Sequence, residues 1–199
     1  GEPTTTVTNS DNQELSDPED KGDSDSYKNT AWMTAKLYSG NAILAGILRT
    51  KGVKTGNAFM RPKQGQTKDD KESALDNLAQ IPRRKMFGYL AYLAVGAPLF
   101  EEGLFRALPS GVAASLGAEG TAWPTGLGTS LAFAAIHRKN DKTGETTLPI
   151  EQFNLGLLTW WLQRNRGYSH AVLSHTLNNL PTTLITGAVY ERNRATRKV

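Results

Sequence analysis

Two adjacent glutamates, Glu101 and Glu102, and three histidines, His137, His170 and His175, are the residues of this 199-residue chain whose types and settings suit chemistry. Glu101-Glu102 closes the uncharged run 86–100 (MFGYLAYLAVGAPLF). His137 closes the run LAFAAIH, and His175 lies inside residues 167–190, which carry no charge. A carboxylate in such surroundings is costly unless it is paired or lines a polar cavity. Helical spacing then separates the two glutamates. Glu102 and Arg106 are four residues apart, on one face, and can form an ion pair, which reads as structural. Glu101 lies about 100° around the helix and points elsewhere, its pKa open to adjustment by burial. Phe133 and His137 share a face at the same spacing, as do His175 and Asn179. Pro98 frees a backbone carbonyl and can kink the helix beside the glutamates, and Pro181 points to irregular backbone beyond Asn179. One carboxylate and two imidazoles drawn from three helices suit acid–base catalysis. They are also the ligand set of some zinc hydrolases, although no HExxH is present.

The elements that must position these groups are helical. An apolar stretch at 31–48 is broken only by Lys36, and residues 74, 75, 78 and 81 are apolar at the spacing of a short amphipathic helix. Uncharged runs follow at 86–100, 107–118 and 120–137, then 153–162 and 167–190. Several are short for a membrane span, which needs about 20 apolar residues. Their Gly, Ser, Thr and Asn are nevertheless what closely packed membrane helices use at their contacts. Four helices running alternately at about 86–106, 122–137, 152–163 and 168–190 would place residues 83–85, 138–142 and 192–198 on one side, leaving only Arg164 and Arg166 on the other. That asymmetry follows the positive-inside rule. The fold expected is an all-α membrane bundle of about four core helices with one or two N-terminal helices.

Composition divides the chain further. Residues 1–27 hold eight acids against one base, Lys21, and almost no large apolar residues, so a disordered acidic tail is expected. With that tail at −7 and the whole chain at +4, residues 28–199 carry +11. No basic run is interleaved with stacking aromatics, so the charge suits an anionic membrane surface and not nucleic acid. The absence of cysteine excludes disulfides, thiolate metal sites and a cysteine nucleophile. Four regions result: the tail 1–27, an N-terminal helix with a basic polar loop at 28–85, a core at 86–190, and a basic tail at 191–199.

Three motifs in the core carry a family resemblance. Glu101-Glu102-Gly103-Leu104-Phe105-Arg106 resembles the EExxxR motif of the CAAX protease and bacteriocin-processing (abortive-infection) family. Phe133-Ala134-Ala135-Ile136-His137 is similar to its FxxxH motif, and His175-Thr176-Leu177-Asn178-Asn179 to its HxxxN motif. The resemblance covers about residues 86–190. It implies membrane helices enclosing a cavity, in which Glu101 and His137 activate a water that attacks a peptide carbonyl. His175 and Asn179 would stabilise the oxyanion, with Glu102, Arg106 and Phe133 as structural support. No cofactor or metal is expected on this reading. The partners expected are membrane lipid and a peptide or protein substrate, in a bacterial inner membrane or an organelle membrane. Two alternatives use the same residues: a non-proteolytic membrane scaffold or assembly subunit, and a metal-dependent hydrolase built on Glu101, His137 and His175.

Overall fold

A computed structural model of the chain describes residues 21–56, 77–117, 123–139, 144 and 146–196. The described residues are all-helical, apart from two isolated bridges, Thr55 with Leu148 and Lys139 with Thr146. Helix α1 spans Lys21–Thr50. A long helical segment then runs as α2 (Arg83–Ala91), a π turn at Tyr92–Gly96, α3 (Ala97–Glu102), a second π turn at Gly103–Ala107, and α4 (Leu108–Ser115). Helices α5 (Trp123–Ile136), α6 (Ile150–Arg166) and α7 (Tyr168–Thr196) complete the bundle.

Several expected boundaries move. Helix α1 begins at Lys21, so the last seven residues of the acidic stretch are helical, and the rest of that stretch lies outside the described residues. Residues 191–196 continue α7 instead of forming a tail. Of the amphipathic segment near residues 74–81, only 77–81 is described, and residues 77–80 of it are helical. Pro181 sits inside α7 without interrupting it, contrary to the irregular backbone expected there.

Packing makes a simple arrangement. α5 lies against α6, α6 against α7, and α1 against both α6 and α7. Only Gly167 separates α6 from α7, and its φ of 96° is a conformation that a side chain would strain. Tyr27 with Ser169, Thr30 with His170 and Thr34 with Ser174 join the first half of α1 to the start of α7. Asn41 and Asn154 join its second half to the start of α6. α1 therefore runs parallel to α7 and antiparallel to α6. At the end where α7 finishes, Arg83 meets Glu191 at 2.7 Å, and Tyr190 donates to the Ile81 carbonyl at 2.7 Å. The bond to Glu191 and its charge hold the Arg83 guanidinium above its ordinary range.

Polarity is distributed in an unusual sense. Thr30, Thr34, Ser130, Thr159 and Ser174 are buried between the helices, with Glu102 and Arg106. Trp32, Phe87, Phe100, Leu116, Leu131 and Ile185 are exposed. Among the described residues no helix is long and apolar enough to cross a membrane by itself.

Close helix contact depends on small residues. A Cβ added to Gly126 on α5 would run into the middle of the Trp160 indole on α6, whereas nothing lies within 4 Å of one added to Gly128. Gly126→Ala is therefore expected to destabilise the protein by about 1–3 kcal/mol. Gly128→Ala is expected to be neutral or stabilising by up to about 1 kcal/mol through helix propensity. Melting curves of the two purified variants against the parent check this contrast.

Candidate active site

Two prolines shape the segment that carries the glutamates. Proline cannot donate to the residue four positions back, and its ring crowds that residue's carbonyl. The crowded residues are Ala94 for Pro98 and Phe105 for Pro109. Each lies inside one of the two π turns, where the helix widens by one residue per turn and relieves the clash. The kink expected beside Pro98 thus takes the form of a π turn, and Glu101 and Glu102 are bracketed by two of them. In the first, the Ala97 N–H reaches back to the Tyr92 carbonyl. Pro98 has no N–H to follow it, so the Leu93 carbonyl is left without a helical partner. The side chain of Asn179 donates to it at 3.1 Å.

Glu102 lies at the centre of the site. Its side chain is fully buried, and Oε1 accepts from His175 Nδ1 at 2.8 Å. Oε2 faces Arg106 Nε at 3.6 Å, so the ion pair anticipated from the spacing is present, at a distance beyond a good hydrogen bond. Glu102 therefore also holds a histidine, which helical spacing alone did not show. The Arg106 guanidinium, itself buried, lies 5.1 Å over the Phe133 ring. Gly156 on α6 makes room for it, since a Cβ there would stand 3.0 Å from Nη2.

Phe133 is the hub around which the other groups are seated. Its ring contacts those of Phe105, His137 and His175 at centroid separations of 5.5, 4.7 and 5.6 Å. His137 follows the last turn of α5, and its Nδ1 lies 2.7 Å from the Phe133 carbonyl. A carbonyl only accepts, so Nδ1 carries the proton, and in the neutral ring Nε2 keeps its lone pair. The same reasoning puts a proton on His175 Nδ1, which faces a carboxylate. His175 Nε2 stands 3.4 Å from Oε2 of Glu101, whose side chain is partly exposed.

These groups border one cavity of about 420 Å³, within the range of ligand-binding sites. Glu101, Phe133, His137, His175 and Asn179 all line it; Glu102 and Arg106 sit behind that wall. His170 is elsewhere, stacked on Tyr27 at 4.1 Å and bonded to Thr30. Among the described residues no three His, Cys, Asp or Glu side chains converge as a metal site requires. Sequence reasoning missed Tyr38, Asn41 and Arg49 of α1 and Glu151 and Gln152 of α6, all of which also line the cavity. Only the Pro149-Ile150-Glu151 start of α6 could have flagged any of them, and it reads as an ordinary helix N-terminus.

Residues 83–181 match the family described as Type II CAAX prenyl endopeptidase Rce1-like. The chain belongs to this family. No curated protein and no solved structure gives a significant match. The Rce1-like segment contains Glu101, Glu102, Arg106, Phe133, His137, His175 and Asn179, and the family is one of membrane endopeptidases. Helix α1, which walls one side of the cavity, lies outside the matched segment.

Removing one member of a buried charged pair leaves the other uncompensated. Arg106→Met is therefore expected to cost about 3–5 kcal/mol. Pairing it with Glu102→Gln should recover a large part of that loss. A double-mutant cycle in denaturant unfolding measures the coupling, and additivity of the two substitutions would contradict it.

Proposed function

We propose that the protein is an intramembrane endopeptidase in which Glu101 and His137 activate a water for attack on a peptide bond. The observation that carries this reading is the convergence of Glu101, His137, His175 and Asn179 on one cavity, backed by buried Glu102. His137 Nε2, with its lone pair free, accepts one water hydrogen and aims the oxygen. Glu101 takes the other proton as that oxygen bonds to the peptide carbonyl carbon. The oxyanion formed is met by Asn179 and, when Nε2 also carries a proton, by His175, whose Nδ1–H is already committed to Glu102. Asn179 can serve here although one N–H is committed to Leu93, because its amide has a second. The proton on Glu101 passes to the leaving amine as the carbon–nitrogen bond breaks.

Embedding in a lipid bilayer fits both the polarity and the charge of the molecule. Many large apolar side chains are exposed on the outside of the bundle, while hydroxyls and an ion pair share its interior with apolar residues such as Leu155 and Leu162, an arrangement that fits a hydrocarbon solvent. By helix direction Arg49, Arg83–Lys85, Arg138 and Arg192 lie at one end, with Lys28, Arg164 and Arg166 at the other. This division matches the positive-inside pattern.

Detergent-purified protein incubated with a diverse peptide pool, read by mass spectrometry, tests the enzyme directly. Glu101→Gln and His137→Ala are each expected to lower cleavage by at least about 100-fold, with melting temperatures close to that of the parent. Cleavage should persist in excess chelator. Undiminished cleavage by Glu101→Gln would overturn the mechanism, and loss in chelator would point to a metal hydrolase.

A further inference from the structure

A second hollow, of about 770 Å³, shares no residue with the catalytic cavity. It lies where the end of α5, the first turn of α6 and the stretch after α1 meet. Leu131, Ala135 and Arg138 line it, spaced by four and three residues along one face of α5 and the turn that ends it. Phe133 and His137, which border the catalytic cavity, occupy roughly the opposite face of that helix. Phe153 comes from α6, and Lys54 from the stretch after α1. Backbone bonds bring the two cations together. The Thr147 N–H donates to the Arg138 carbonyl at 2.9 Å, and the Leu148 N–H to the Lys54 carbonyl at 2.7 Å. Lys54 and Arg138 therefore flank one short stretch of chain, two strand spacings or about 10 Å apart, and both side chains can reach one phosphate. No acid is among the residues that line this hollow, whereas the catalytic cavity has Glu101 and Glu151.

We propose that the hollow binds one anionic phospholipid, with its phosphate between Lys54 and Arg138 and an acyl chain over Leu131, Ala135 and Phe153. This inference rests on the membrane placement and not on the peptidase chemistry. The hollow opens at the end of the bundle that carries Arg49, Arg83–Lys85 and Arg192, which the positive-inside pattern sets among headgroups. Seven residues separate Leu131 from Arg138, about 10 Å along a helix, so the groove descends from headgroup depth into hydrocarbon. Leu131 and Leu148 are exposed along it. An acyl chain matches that surface, and a soluble anion or a polar peptide does not. Basic pockets between membrane helices at this end suit anionic headgroups. A guanidinium meets phosphate through two parallel hydrogen bonds. A choline headgroup brings its own cation, which two basic side chains without an acid repel.

The experiment offers delipidated, detergent-purified protein equal amounts of phosphatidylglycerol and phosphatidylcholine with the same acyl chains, and reads the adducts by native mass spectrometry. The first bound lipid is expected to be phosphatidylglycerol by about tenfold, the contribution of two basic contacts. Lys54→Gln with Arg138→Gln should bring that ratio close to one. Arg84→Gln with Lys85→Gln removes the same charge at the same end and should leave it unchanged. Ala135→Trp, at an exposed position, keeps both cations but fills the groove, and should lower phosphatidylglycerol binding several-fold. Glycerol 1-phosphate, the headgroup without chains, is expected to leave the lipid in place at millimolar concentration. Displacement by it would assign the cations to a soluble phosphate and overturn the proposal. So would an equal ratio in the parent, or a preference that the Arg84 and Lys85 variant loses as fully. Flotation with phosphatidylcholine vesicles tests the membrane placement separately. Protein that enters the vesicles but shows no lipid preference keeps the placement and rejects the site, and protein that stays outside rejects both.

Discussion

The Glu102 carboxylate has no solvent to stabilise it, and the interior of the bundle is arranged around that constraint. An ion so placed must be matched by donors and opposite charge drawn from the surrounding elements. One oxygen is met by the His175 imidazole from α7 and the other by Arg106, one helical turn onward. Arg106 in turn needs an aromatic surface, supplied by Phe133 of α5, and an opening in α6, supplied by Gly156. Four elements are thereby brought to one point, and the residue that satisfies the buried charge also orients the histidine of the site.

Backbone chemistry supports the same point. Proline removes a donor and pushes on a carbonyl, and here two prolines each follow a π turn. The widened turns change the helical phase on either side of Glu101 and Glu102. They also release the Leu93 carbonyl, which anchors Asn179. Pro181 exerts no comparable effect within α7, whose length and packing carry it through. A proline therefore signals strain in the local ladder, and the neighbouring helices decide whether that strain becomes a change of geometry.

Helix α1 extends the site beyond the segment typical of the family. Its contacts with α6 and α7 are largely polar: hydroxyls, an amide pair and a stacked tyrosine–histidine pair. Hydrogen bonds keep their directional value where apolar surface is not expelled from water, so such a seam suits a bundle whose outer face is apolar. Through Tyr38, Asn41 and Arg49 the same helix closes one side of the cavity.

Several features were legible in the sequence because they depend on short-range periodicity. Uncharged runs at helical lengths marked the helices, and spacings of four residues paired Glu102 with Arg106, Phe133 with His137 and His175 with Asn179. The departure of Glu101 from the Glu102 face followed from the same 100° step. Other features required the tertiary structure, because they join elements distant along the chain. The Glu102–His175 bond spans 73 residues and the Asn179–Leu93 bond spans 86. No local period encodes either one. The helical start of α1 at Lys21 overrode an acidic composition that reads as disorder, since its following turns dock on α6 and α7. Glu151 and Gln152 read as a routine helix start until packing placed them on a cavity wall. The sequence by itself determined which residues share a helix face, since the α-helix repeat is local. Tertiary packing decided which faces meet, because that depends on charges and carbonyls left unsatisfied within each element.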